Sequence, residues 1–180
     1  GSYVINDIVS YATYQENSGK KITTYRNVNG NYDGNVRAML NTPLKNKKFS
    51  VNSMTMLSYS NNKGFINADE NTSKSFTAME RAGIDFRSNV IDFGLNGNIR
   101  YNGVTNSFQA QNNRKTYNYG GGATTTIYLP LSFKVESDIN FSTNSGYSAG
   151  YEQKEWLWNA SASKTFLKNN QGTLRFKIYD

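Results

Sequence analysis

Residues 132–142 read "SFKVESDINFS". Phe133, Val135, Ile139 and Phe141 fall at every second place, with the small Ser137 in the same row, and Lys134, Glu136, Asp138 and Asn140 stand between them. A strand points alternate side chains to opposite faces. This stretch therefore makes a strand with one apolar row and one polar row, and the question that decides the class of protein is which solvent meets each row.

The pattern recurs along the chain. In "NVIDFGLNGNIRY", Ile91, Phe93, Leu95, Ile99 and Tyr101 share one face, and Asp92, Asn96, Asn98 and Arg100 the other. In "NYDGNVRAML", Tyr32, Val36, Ala38 and Leu40 oppose Asp33, Asn35, Arg37 and Met39; in "KKFSVNSMTMLSY", Phe49, Val51, Leu57 and Tyr59 oppose Lys48, Ser50, Asn52 and Ser58. Near the C-terminus Leu174, Phe176 and Ile178 oppose Arg175 and Lys177. Apolar residues at helical spacing are sustained nowhere, so the period of two governs. Turn-forming clusters at 16–21, 27–31, 42–47, 60–64, 88–89, 101–103, 129–130, 143–146 and 168–172 divide the chain into about ten strands, most offering the ~9–11 residues that a tilted membrane strand needs. The expectation is an all-β, antiparallel up-and-down meander, part of a transmembrane-type β-barrel or forming one, in a single domain over residues 1–180.

Composition removes several kinds of chemistry. Histidine and cysteine are both absent. A disulfide scaffold, a thiolate metal site and imidazole acid–base catalysis are thereby excluded. The formal charge of +7 raises nucleic acid as a partner. The basic residues are nevertheless dispersed, with Lys45, Lys47 and Lys48 the densest run, and no nucleic-acid binding is expected. No apolar run is long enough for a membrane helix. Gly1-Ser2 reads as a cloning remnant, and the chain as a fragment truncated at both ends.

Two environments fit the alternation equally: a soluble sheet with its apolar rows on a core, or a barrel with those rows in lipid. Lipid is favoured by the polar rows, rich in Asn, Ser, Thr and Gly, and by a charged fraction of 18% against about 25% in typical globular domains. It is also favoured by the connections. From the fourth strand on they alternate long (61–73, 102–114, 142–153) and short (88–89, at Pro130, 168–172), and alternate connections of a meander lie at one rim. The first two connections, both short, depart from this. Aromatic residues gather near expected strand ends at Tyr101, Tyr117, Tyr119, Tyr128, Phe141, Tyr151, Trp156, Trp158, Phe166 and Tyr179, as in interfacial girdles. Closure would also remove the exposed edges of so long a sheet. Against lipid stands Glu80, in register with Phe76, Ala78, Ala82, Ile84 and Phe86. A carboxylate on that row calls for a position near an interface or for a bulge that shifts the register.

The stretches "NDIVSYATYQENSGKKITTYRNVNGNY", "TPLKNKKFSV", "KTYNYGGGATTTIYLPLSF", "VESDINFSTNSGYSAGY" and "EWLWNASASKTFLKNNQGTLRFKIYD" carry a resemblance over nearly the whole chain. It resembles the C-terminal half of an outer-membrane β-barrel protein of the TonB-dependent-receptor-like class. The resemblance implies a cell outer-membrane location in a Gram-negative cell, and a role in nutrient uptake or ligand capture at the cell surface without catalysis. It further implies outer-membrane lipid, an N-terminal plug domain and an energy-coupling protein as partners, together with an extracellular ligand that it does not name. Self-association through strand edges is a further expectation. The other class of reading is a soluble all-β binding or adhesion module.

Candidate chemistry is sparse. Asp69 and Glu70 fall in an expected loop, and Glu136 and Asp138 share a strand face, where neighbouring carboxylates suit acid–base work of the glycosidase kind. The plainer reading is a polar row balanced by Lys and Arg on adjacent strands, and no catalytic residue, metal ligand or cofactor is expected. "YGGGAT" at 119–124 has the glycines of a phosphate loop but lacks its Gly-Lys-Ser/Thr ending. Glycine within a strand marks a bend or a close approach of backbone. The "NTS" sequon at 71–73 carries little weight. "FINADENTS" and "STNSGYSAGYEQ" offer amides, hydroxyls and aromatic rings suited to sugars or peptides.

Overall fold

The computed structural model describes every residue except 15–17, 46, 67, 109, 149, 168–170 and 180. The chain is all-β. Its strands are β1 (Ser2–Val4), β2 (Asp7–Tyr14), β3 (Lys21–Val28), β4 (Asn31–Pro43), β5 (Phe49–Ile66), β6 (Asp69–Arg87), β7 (Ile91–Asn106), β8 (Arg114–Leu129), β9 (Phe133–Ser145), β10 (Lys154–Phe166) and β11 (Gly172–Tyr179). Short 3-10 turns at Ala110–Asn112 and Pro130–Ser132 are the described helical pieces. Nine strands form one sheet in the order β1-β4-β5-β6-β7-β8-β9-β10-β11, and β2-β3 pair as a second sheet. From β4 onward this is the expected antiparallel meander. The order is linear, and the sheet is not closed.

Two compact units are present. One comprises Gly1–Arg37, Met56–Ala78 and Tyr101–Thr116; the other comprises Ala38–Thr55, Met79–Arg100 and Tyr117–Asp180. In the first unit the meander is interrupted. β1 pairs antiparallel with β4, Tyr3 opposite Tyr32, and the β2-β3 hairpin is looped out between them. The departure has a local cause. Asn6 takes a left-handed conformation at φ 58°, and its backbone N–H donates to the Asn29 side-chain carbonyl at 2.7 Å. Gly30, at φ 88°, turns the returning chain into β4. The hairpin is tied back by the edge-to-face contact of Tyr11 with Phe65 at 5.1 Å and by the Arg26 guanidinium, 5.7 Å from the Phe65 ring centroid.

Strand ends run further than turn chemistry suggests. The stretch 61–73, expected as a long loop, is largely strand: β5 (18 residues) continues to Ile66 and β6 (19 residues) begins at Asp69. The expected turn at 101–103 lies inside β7, and β9 continues to Ser145. Pairing overrides turn propensity because polar side chains also bond across the ladder. Thr77 donates to the Asn102 side-chain oxygen at 2.9 Å, and Thr72 N–H to Ser107 Oγ at 2.8 Å. The alternation of connections survives in part. Residues 88–90 and 130–132 make short links, and 107–113 and 146–153 longer ones, but the link after Ile66 is short.

The faces are sharpest in the second unit, where the registers of β8 to β11 align their rows. Phe133 opposes Lys164 and Leu129; Ile139 opposes Trp158 and Ala123; Ala162 opposes Phe176. The apolar row is exposed. Ile139 is 42% exposed, Trp156 58% and Phe176 69%. The opposite row is the more enclosed one, with Ser163 only 6% exposed and Glu136, Asp138, Asn159 and Ser161 half-buried. Over the described residues Val28 is the one buried hydrophobic side chain, whereas Asn31, Asn61, Asn71, Thr116 and Ser163 are buried.

Candidate functional site

The polar row of β9 is held where the sequence places it, and the adjacent strands supply its partners. Lys134 and Glu136 lie two apart on one face, and Lys134 Nζ donates to Glu136 Oε1 at 2.9 Å. The other carboxylate oxygen, Oε2, accepts from Ser161 Oγ at 3.2 Å and lies 3.7 Å from the Arg175 guanidinium. Asp138 Oδ2 accepts from Asn140 Nδ2 at 3.1 Å and from Asn159 Nδ2 at 2.9 Å. The pairing of Ser161 with both Glu136 and Lys177, and of Ser163 with Arg175, aligns these groups across β9, β10 and β11. Together they border an open cleft of about 240 Å³, with Lys177 and Tyr179 on its outer strand.

Glu136 and Asp138 thus share a face and a cleft, as their spacing implies. Each carboxylate is engaged by donors: a cation and a hydroxyl for Glu136, two amides for Asp138. This is the arrangement of a balanced polar row. Asp69 and Glu70 are exposed at the start of β6 rather than in a loop.

The "YGGGAT" stretch lies within β8, and strand rather than helix follows it. Its glycines serve close packing. A Cβ on Gly121 would stand 2.9 Å from the Asn96 carbonyl oxygen, inside contact distance. Asn71 of the sequon is buried and structural: its side-chain oxygen accepts the Phe108 N–H at 3.0 Å. In the second of the two expected ligand-binding stretches, a cleft of about 230 Å³ is bordered by Asn98, Asn118, Ser142, Thr143, Asn144 and Gln153. Thr143 Oγ1 and the Asn144 side-chain oxygen fix the backbone of Gln153, at 2.8 and 2.7 Å. Tyr119 and Phe141 complete its lining, so amides, hydroxyls and aromatic rings meet there, the groups that suit a sugar or peptide. The first stretch, 65–73, is mostly strand, and Asn67 lies outside the described residues.

Glu80 stays on the row of Ala82 and Ile84, and the sequence shows no sign of how it is accommodated. Ser53 Oγ donates to its Oε1 at 2.7 Å, and the Thr55 hydroxyl donates to its Oε2. Both donors come from β5, where Ser53 and Thr55 interrupt the row of Phe49, Val51 and Leu57. On the same side of the two strands Phe49 and Phe86 pack with ring centroids 4.8 Å apart. The carboxylate is therefore met by a polar gap in the neighbouring row. Among the described residues, no group of three Asp or Glu side chains could hold a metal ion.

No family model, no curated protein and no solved structure matches the chain.

Proposed function

We propose that this chain is the membrane-facing wall of an outer-membrane β-barrel of the receptor type, acting in ligand capture or nutrient uptake at the cell surface and doing no chemistry itself. The observation that carries the reading is the inverted distribution of side chains: the apolar rows of β9, β10 and β11 stand exposed, whereas on β9 and β10 the opposite row, over Lys134, Glu136, Asp138, Asn159, Ser161 and Ser163, is half-buried or buried and internally bonded. A soluble sheet gains its stability from the opposite arrangement.

The dimensions of the apolar row support the same reading. On β10 the row runs Trp156, Trp158, Ala160, Ala162, with Lys154 and Lys164 at its two ends. Ten residues of strand rise about 34 Å. At a tilt of about 40° this spans roughly 26 Å, against an apolar band of about 25 Å in outer-membrane barrels. Lys164 bends its ammonium to 4.6 Å from the Phe133 ring centroid, and Trp158 Nε1 donates to Ser137 Oγ at 3.0 Å. Both are ways for an amphipathic side chain to sit at the edge of, or within, an apolar layer. On this reading the polar row faces a wet lumen or a plug domain, and the amide-lined cleft beside 146–153 contributes to ligand capture. The plug and the energy-coupling protein rest on the family resemblance.

Sedimentation of the purified chain with and without detergent, with far-UV circular dichroism on the same samples, tests the proposal. Aggregation in buffer that resolves into a β-rich species in detergent is expected. A β-rich monomer in plain buffer would sink it in favour of a soluble binding module.

A further inference from the structure

Within the first unit, one cleft combines three features. It is bordered by the rings of Tyr59, Phe76 and Tyr101, it has a volume of about 200 Å³, and Lys74 and Lys115 stand at its margin. Both lysines are exposed, and neither forms an ion pair or hydrogen bond with a described residue. The floor is apolar and well built. Phe76 and Tyr101 pack with ring centroids 6.2 Å apart. Tyr101 also lies along its own strand over Gly103, so that a Cβ there would stand 2.6 Å from the phenol oxygen. Gly103 is what allows the ring to lie flat and the hydroxyl to point along the strand. Tyr59 is braced from its other side by the ring of Tyr32, stacked at 5.9 Å.

The order of residue types along β6 gives the cleft a direction. Phe76 belongs to the apolar row, and Lys74, two residues nearer the strand start, continues the same row as a cation. Two unpaired ammonium groups beside phenol hydroxyls, above an aromatic floor, make a receptor for a molecule with an anionic head and an apolar body. We propose that this cleft binds the phosphate headgroup of an anionic membrane lipid, with Lys74 and Lys115 on the phosphate and Phe76 and Tyr101 against the glycerol and upper acyl carbons. The inference rests on the membrane reading above, deepens it by naming the lipid chemistry, and commits to a lipid rather than a free phosphate because three aromatic rings line the cleft.

The test uses the full chain in a nonionic detergent, titrated with short-chain phosphatidylglycerol and followed by phosphorus NMR, with far-UV circular dichroism on each sample. Short-chain phosphatidylcholine and glycerol phosphate are titrated alongside. A lysine at an anionic surface contributes roughly fivefold in affinity. The double variant K74Q/K115Q is therefore expected to bind phosphatidylglycerol roughly 30-fold more weakly, and K74R/K115R to retain binding. G103A, which displaces Tyr101 and leaves both charges, is expected to weaken the lipid but not glycerol phosphate. Glycerol phosphate binding as tightly as the lipid, equal binding of the zwitterionic lipid, or an unchanged K74Q/K115Q of native circular dichroism would each overturn the proposal. Sedimentation of the same preparations separates the two readings. A detergent-requiring chain that ignores phosphatidylglycerol removes the lipid site alone, and a chain that needs no detergent removes the membrane reading first.

Discussion

Ile139→Arg separates a lipid-facing row from a merely exposed one. Ile139 sits near the middle of the apolar row of β9. It pairs with Trp158, and the cations that end the neighbouring row pair with Thr143 (Lys154) and Phe133 (Lys164). Ile139 is thus four residues from one limit and six from the other, or about 14 and 20 Å along the strand. Tilted by about 40°, the site lies roughly 10 and 16 Å inside the two limits, close to the midplane. An arginine there costs about 2–4 kcal/mol in a bilayer, which lowers the folded-to-unfolded ratio roughly 30- to 900-fold. On a water-exposed sheet the same change stays within about 0.5 kcal/mol. The assay is equilibrium unfolding in urea of the chain reconstituted in phosphatidylcholine vesicles, read by the fluorescence of Trp156 and Trp158, which lie opposite Phe141 and Ile139. Asn140→Arg, one residue on and facing the polar side, is the control and is expected to be nearly neutral. An Ile139→Arg variant as stable as the parent, or an Asn140→Arg variant as damaged as Ile139→Arg, would refute the assignment of the faces.

Three further outcomes follow from particular contacts. Glu136→Ala leaves Lys134, Ser161 and Arg175 without their common acceptor; with these side chains about a third exposed, a loss of about 1 kcal/mol is expected by urea unfolding. Arg175→Ala, which removes only the 3.7 Å contact, is expected to lose less than half of that. Gly121→Ala drives a methyl to 2.9 Å from the Asn96 carbonyl and is expected to destabilise by about 1–3 kcal/mol, whereas Gly97→Ala, whose nearest neighbour is 3.7 Å away, is expected to be tolerated. Glu80→Leu restores the apolar row at the loss of two hydroxyl donations; in vesicles it is expected to be neutral or stabilising by urea unfolding, and a clear loss of stability would count against lipid on this face.

The rows of Phe133, Ile91, Val36 and Leu174 were legible because a period of two is a property of the strand alone. What pairs with what is a property of register, and that was not. Lys134 could be placed beside Glu136 from spacing, but Ser161 and Arg175 reach the same carboxylate only through the alignment of three strands. Ser53 and Thr55 look like weak points in the row of β5 until Glu80 is set against them. The strand ends at 61–66 and 101–106 are hidden in the sequence because Asn, Ser and Gly favour turns, whereas each ladder position there still has a neighbour to bond. The looped-out hairpin depends on one left-handed asparagine and one side chain that captures its N–H, and neither has a pattern that the sequence displays.

The nearest-neighbour order of β4 to β11 has a consequence for how the sheet is assembled. After Ile66 the chain reverses almost at once, so β5 and β6 can zip from a single nucleus, each new ladder bond closing a loop barely larger than the last. The entropy of closure is met once, at the turn, and the eighteen- and nineteen-residue strands then propagate at little further cost. Every later strand needs only the edge left by its predecessor. Growth of this kind is additive and directional. The pairing of β1 with β4 is the exception, since it must wait until the hairpin between them has formed and folded aside. A chain feeding into the sheet from its N-terminus would therefore close the small hairpin before it makes the first rung of the large sheet.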